Sequence, residues 1–102
     1  MKAPVECTLA LAIGVAATPL EGVQRAAVKD YVRRRWRGEA GARGTGLRCR
    51  LPGVGRKDAE ELAEELGAEL GVLRLVLFEV SGRRTVCVLA LEPNYNRAAN
   101  NV

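Results

Sequence analysis

Residues Leu47–Leu91 read LRCRLPGVGRKDAEELAEELGAELGVLRLVLFEVSGRRTVCVLAL, and this stretch decides the fold. It opens with strict alternation: Leu47, Cys49 and Leu51 share one side, Arg48 and Arg50 the other, the period of a half-buried strand. Pro52 to Lys57 reads as a turn. Asp58 and Glu61 match a capping box. Ala59, Leu62, Ala63, Leu66 and Leu70 then recur at helical spacing, which predicts a helix from Ala59 to about Leu70 that Gly71 stops. Val72 to Val80 follows as a strand with apolar residues on both faces. Ser81-Gly82-Arg83-Arg84 forms a hairpin turn, and Thr85 to Leu91 is a last strand with Cys87, Leu89 and Leu91 inward.

Toward the N-terminus, Val5 to Val15 alternates again. Val5, Cys7, Leu9, Leu11, Ile13 and Val15 make a bulky face, and Glu6, Thr8, Ala10, Ala12 and Gly14 make a small one. Lys2 and the apolar run after it have the outline of a short signal peptide, but Glu6 at its edge and the single charge before it favour a strand. Thr18 as N-cap, Pro19 in the first turn and Glu21 behind them predict a helix to about Arg37, stopped by Gly38. On a helical projection Leu20, Val23, Ala27 and Tyr31 form its sheet-facing stripe, with Arg25, Lys29, Arg33 and Trp36 opposite. Gly38, Gly41, Gly44 and Gly46 mark the next segment as a mobile loop.

The expected order is therefore β-α-β-α-β-β, an α+β fold built as a two-layer α/β sandwich. Right-handed crossovers set both helices on one face of a four-stranded mixed sheet. Residues 1–93 form a single domain and 94–102 a polar, Asn-rich tail. The bare sheet face is expected to carry Thr8, Ala10, Ala12, Arg48, Arg50, Arg74, Val76 and Phe78. Such a face suits either a sheet-to-sheet homodimer or the stacking of RNA bases.

Charge is unevenly spread. Lys29 to Arg50 holds eight basic and two acidic residues, a local net charge of +6 in a chain of net +4. Arg25, Lys29, Arg33, Arg34, Arg35, Arg37, Arg43, Arg48 and Arg50 are candidate phosphate contacts, and Trp36 a candidate stacking platform. Against this stands the second helix, whose Asp58 and five glutamates are placed to neutralise a neighbouring basic helix. LPGVGRKDAEEL joins a strand to a helix N-terminus, but Asp58 occupies the third glycine position of a dinucleotide fingerprint. It reads as a tight turn with a cap.

The chain has no histidine, and its carboxylates are spread along a solvated helix, so no acid–base pair, metal ligand set or cofactor motif is legible and a non-enzymatic role is expected. No apolar run reaches the roughly 18 residues of a membrane span, and a cytoplasmic location is expected. Cys7, Cys49 and Cys87 form no CxxC pair. One glutamine, one serine, no methionine beyond Met1 and Arg far ahead of Lys give a thermophilic composition. In that setting disulfides persist inside cells. One intrachain bridge plus one intermolecular bridge across a homodimer stands beside three free thiols.

Residues 45–92 resemble the core of the THUMP domain, an RNA-binding module of tRNA-modifying enzymes. Arg48 and Arg50 ending a strand, Leu66-Gly67 late in a helix, and the strands from Val72 and Thr85 carry the likeness. The element order is also similar to that of the dimeric chromatin protein Alba, although Gly14-Val15-Ala16-Ala17 stands where Alba has paired lysines. Both resemblances imply binding of nucleic acid, here structured RNA.

Overall fold

The computed structural model describes residues 3–9 and 20–94. Strand β1 (Val5–Thr8) leads to helix α1 (Val23–Arg35), strand β2 (Leu47–Leu51), helix α2 (Arg56–Leu70) and the hairpin β3 (Leu73–Ser81) and β4 (Arg84–Glu92). The four strands form one mixed sheet in the order β1-β2-β4-β3. β1 runs parallel to β2, while β4 lies antiparallel to both β2 and β3. The α+β architecture expected from the sequence is the one observed. The far half of the first expected strand, from Ala10, and Thr18-Pro19 lie outside the described residues.

One core fills the space between sheet and helices. Val28 and Val32 of α1 and Leu62 and Leu66 of α2 meet Leu47, Cys49, Leu51, Leu89 and Leu91 of the sheet. Each fully buried leucine or valine contributes about 1.5–3 kcal/mol relative to exposure. The inward faces of β1, β2 and β4 follow the sequence alternation, so all three cysteines lie on the helix-covered side.

Helix α1 departs from its expected start and phase. Gly22 adopts φ 56°, a left-handed conformation that a helix cannot contain, so the helix begins at Val23. Leu20, buried, belongs to the non-helical lead-in. The buried stripe is Val28, Val32, Trp36 and Ala40, whereas Val23 is 86% exposed and Ala27 also faces water. The helix does not stop at Gly38. It widens into a π turn (Trp36–Ala40) and tightens into a 3₁₀ turn (Gly41–Arg43). The glycine segment expected as a loose loop is thus helical, with Ala40 and Thr45 buried and the Thr45 hydroxyl donating to the Ala3 carbonyl at 2.9 Å.

Helix α2 starts at Arg56, with Gly55 as its N-cap. Asp58 is therefore inside the first turn and does not cap its own helix as expected. Its carboxylate Oδ2 instead accepts the backbone N–H of Leu20 at 3.0 Å.

Strand β3 differs from expectation by one residue in facing. Arg74, Val76 and Phe78 pair with Leu91, Leu89 and Cys87, so they lie on the helix side. Leu73, Leu75, Leu77 and Glu79 occupy the bare face. Because β3 is apolar on both sides, alternation alone does not choose between the two.

Candidate nucleic-acid interface

The basic residues of α1 divide by where the helix turns them. Arg25 points at α2, donating to Glu65 Oε2 at 2.8 Å and lying 3.6 Å from Glu61 and 3.8 Å from Asp58. Two turns on, Arg33 grips Glu69, Nη2 to Oε1 at 2.9 Å, with Asp30 at 3.7 Å. These pairs make a ladder between the helices. The Glu69 carboxyl is held below its ordinary range, first by the Arg33 hydrogen bond and then by the charges of Arg33, Lys29 and Arg37, against a smaller opposing effect of burial. Arg34 pairs with Asp30 at 2.9 Å and Arg35 with Glu39 at 2.6 Å, each one turn away on its own helix. The Arg35 guanidinium also lies 5.2 Å from the centre of the Tyr31 ring.

Arg37, exposed at the start of the π turn, makes no ion pair among the described residues. Arg43 is exposed at the end of the 3₁₀ turn. On the bare sheet face, Arg50 reaches across Val88 to Glu79 at 2.9 Å and back to Glu6 at 3.4 Å, while Arg48 is exposed.

Trp36 corrects the expected stacking platform. It is 8% exposed and belongs to the core, with its indole lying over Gly41. A Cβ at Gly41 would come within 2.7 Å of the ring. The tryptophan therefore presents no face to a base. The ten candidate contacts do not form one surface: Arg25 and Arg33 are turned toward α2 with half-buried Lys29 between them in sequence, Arg34 and Arg35 close α1, Arg37 and Arg43 lie in the two turns after it, and Arg48 and Arg50 lie beneath the sheet. A cross-helix ladder carries no signal in sequence beyond the opposite signs of the two helices. The buried role of Asp58 was not legible either, because its partner is a backbone N–H 38 positions away.

The bare face holds a second feature. Leu73, Leu75 and Leu77 form an apolar row beside Val86, Val88 and Ala90, and Leu73 and Leu75 are 50% and 58% exposed. A groove of about 770 Å³ crosses this face, lined among others by Arg48, Leu75, Ala90 and Glu92. Among the described residues no cluster of three or more potential metal ligands occurs, and no helix is long and apolar enough to cross a membrane. No family model, curated protein or solved structure matches the chain.

Proposed function

We propose that this chain is a cytoplasmic homodimeric interaction domain in which two copies pack their bare sheet faces together. The observation that carries the reading is the row Leu73, Leu75 and Leu77 on a sheet face that neither helix covers. An antiparallel sheet with one face in water normally shows polar residues there, and a contiguous apolar patch with a polar rim marks an interface.

A second copy fits because the face offers both signs of charge. Arg48 and Glu92 are exposed near one another, and neither is in an ion pair among the described residues. A two-fold axis in the plane between the sheets, midway between these residues, sets each Arg48 over Glu92 of the other copy. Four strands about 4.8 Å apart and four to nine residues long at about 3.3 Å each give a face of roughly 400 Å² in projection. That is at the small end for protein interfaces, so the dimer is expected to be weak and concentration-dependent.

Sedimentation equilibrium across micromolar to millimolar protein tests this. The wild type should shift from monomer to dimer, and Leu75→Arg should remain monomeric with an unchanged circular dichroism spectrum. A wild type that stays monomeric throughout refutes the reading.

Binding of structured RNA is the second reading, supported by Arg34, whose side chain is 75% exposed, and by exposed Arg37 in the π turn after α1. It predicts affinity for a tRNA-like RNA that falls linearly in log salt and drops on Arg34→Glu with Arg37→Glu. No binding at low salt removes it.

A further inference from the structure

The register of β1 on β2 places Cys7 directly beside Cys49, both facing α1. Partners on neighbouring strands lie about 4.8 Å apart, within the roughly 4.4–6.8 Å between Cα atoms that a disulfide spans. The Cys7 and Cys49 thiols and the Tyr31 phenol of α1 are close enough to act on one another's titration, and the Cys49 Sγ–H donates to the Arg50 carbonyl at 3.9 Å. One turn further along α1, Arg35 lies against the Tyr31 ring and adds positive charge, which Glu39 partly offsets. β1 is an edge strand, and Cys7 is half-exposed, whereas Cys49 and Cys87 are buried. A half-exposed thiol on an edge strand, a second thiol at the paired position of the next strand, a nearby phenol and a nearby cation are the parts of a reactive cysteine site. The dimer reading uses none of them.

We propose that Cys7 is a thiolate nucleophile toward hydroperoxides and that Cys49 is the thiol that resolves its oxidised form. The Cys7 sulfur attacks one oxygen of the hydroperoxide ROOH, and the O–O bond breaks. The departing oxygen takes a proton and leaves as ROH, and Cys7, oxidised by two electrons, becomes a sulfenic acid. The Cys49 sulfur then gives up its proton and attacks the Cys7 sulfur. The S–O bond breaks, hydroxide leaves with that proton as water, and a Cys7–Cys49 disulfide remains. Two thiols and one hydroperoxide thus yield one disulfide, one ROH and one water.

The electrostatics support this division of roles. The Cys7 thiol is drawn down to about 7, first by Cys49 beside it, then by Tyr31 and the charge of Arg35, against burial and Glu39. Cys49 is pushed up, first by Cys7 beside it and then by burial, so it keeps its proton until the second step. Cys87 is also raised, first by burial. It sits on β4, opposite Leu51 and Phe78, and serves as an internal control.

Reduced full-length protein is treated with a slight excess of hydrogen peroxide, alkylated with N-ethylmaleimide and mapped after trypsin. The expected product has lost two hydrogen atoms, carries one alkyl group on Cys87, and joins the peptide Ala3–Arg25 to Cys49–Arg50. With Cys49→Ser, dimedone should label Cys7 as the trapped sulfenic acid. Alkylation of Cys7 in untreated protein should rise with a midpoint near 7, and Arg35→Gln should move that midpoint upward without altering Cys87. A crosslink that includes Cys87, equal reactivity of all three thiols, or a Cys7 midpoint at the ordinary value of about 8.5 overturns the proposal. The mapping of the wild type decides the matter if Cys49→Ser does not fold.

Discussion

Asp58 offers a quantitative test of how the lead-in to α1 is anchored. Its carboxylate is 3% exposed, accepts the Leu20 N–H at 3.0 Å, and lies 3.8 Å from the Arg25 guanidinium. It also sits in the first turn of α2, where a negative charge meets the positive end of the helix dipole. Asp58→Ala deletes a hydrogen bond to a charged group, about 1.5–3 kcal/mol, and leaves a buried N–H unsatisfied. The dipole interaction adds about 0.3–1 kcal/mol, for a total near 3 kcal/mol. Asp58→Asn keeps the shape and one acceptor oxygen and loses only the charge, so about 1 kcal/mol is expected. Urea unfolding followed by the fluorescence of Trp36, the one tryptophan, reads both variants. With a slope of about 1.5 kcal/mol/M, the midpoint should fall by ~2 M for Ala and by less than 1 M for Asn. Amide exchange at Leu20 should lose its protection in the alanine variant alone. If Ala costs under about 1 kcal/mol, or Asn costs as much as Ala, the carboxylate is not the anchor.

Other positions test the remaining contacts. Gly41→Ala drives a Cβ to 2.7 Å from the Trp36 ring, and such overpacking should destabilise by about 1–3 kcal/mol in the same assay. Gly67→Ala meets only the Arg74 side chain, at 2.6 Å from Cδ. That chain can swing aside, so the helical preference of alanine should stabilise α2 by about 0.5–1 kcal/mol. Glu69, held below its ordinary range first by Arg33, is a carboxylate with a depressed folded value. Its contribution is present above the unfolded value of about 4.3 and lost as pH falls through the lower folded one. The difference in urea midpoint between wild type and Glu69→Gln should stay constant from about pH 8 to 5, then shrink toward zero in more acid solution and at high salt.

The helix from Arg56 and the strand from Leu47 were legible because each has one apolar face and one charged face, so a single phase satisfies both packing and solvation. α1 has two apolar stripes of similar weight. The sequence favoured Leu20, Val23, Ala27 and Tyr31, but Leu20 precedes the helix, and a projection cannot detect that Gly22 breaks it. Once it is removed, Val28, Val32, Trp36 and Ala40 present the larger surface, and the core takes them. Trp36 then turns inward, and the reading of it as a stacking platform goes with it. β3 carries bulky apolar residues on both sides, so its facing is decided by pairing with β4, a long-range contact that local alternation does not encode. The basic residues of α1 are plain in the sequence, but the partners of Arg25 and Arg33, Glu65 and Glu69, lie 40 and 36 positions further along it.

The placement of β4 between β2 and β3 has a consequence for how the protein is made. A ribosome delivers β2, α2 and β3 first, yet these two strands never touch and both await the strand that divides them. Until β4 begins to emerge at Arg84, the nascent chain can form helices but no sheet wider than β1 on β2. The long-range contacts therefore close late and together. During that interval the inward leucines of β2 and the two apolar sides of β3 are without cover, which is when a holding chaperone would find its best target.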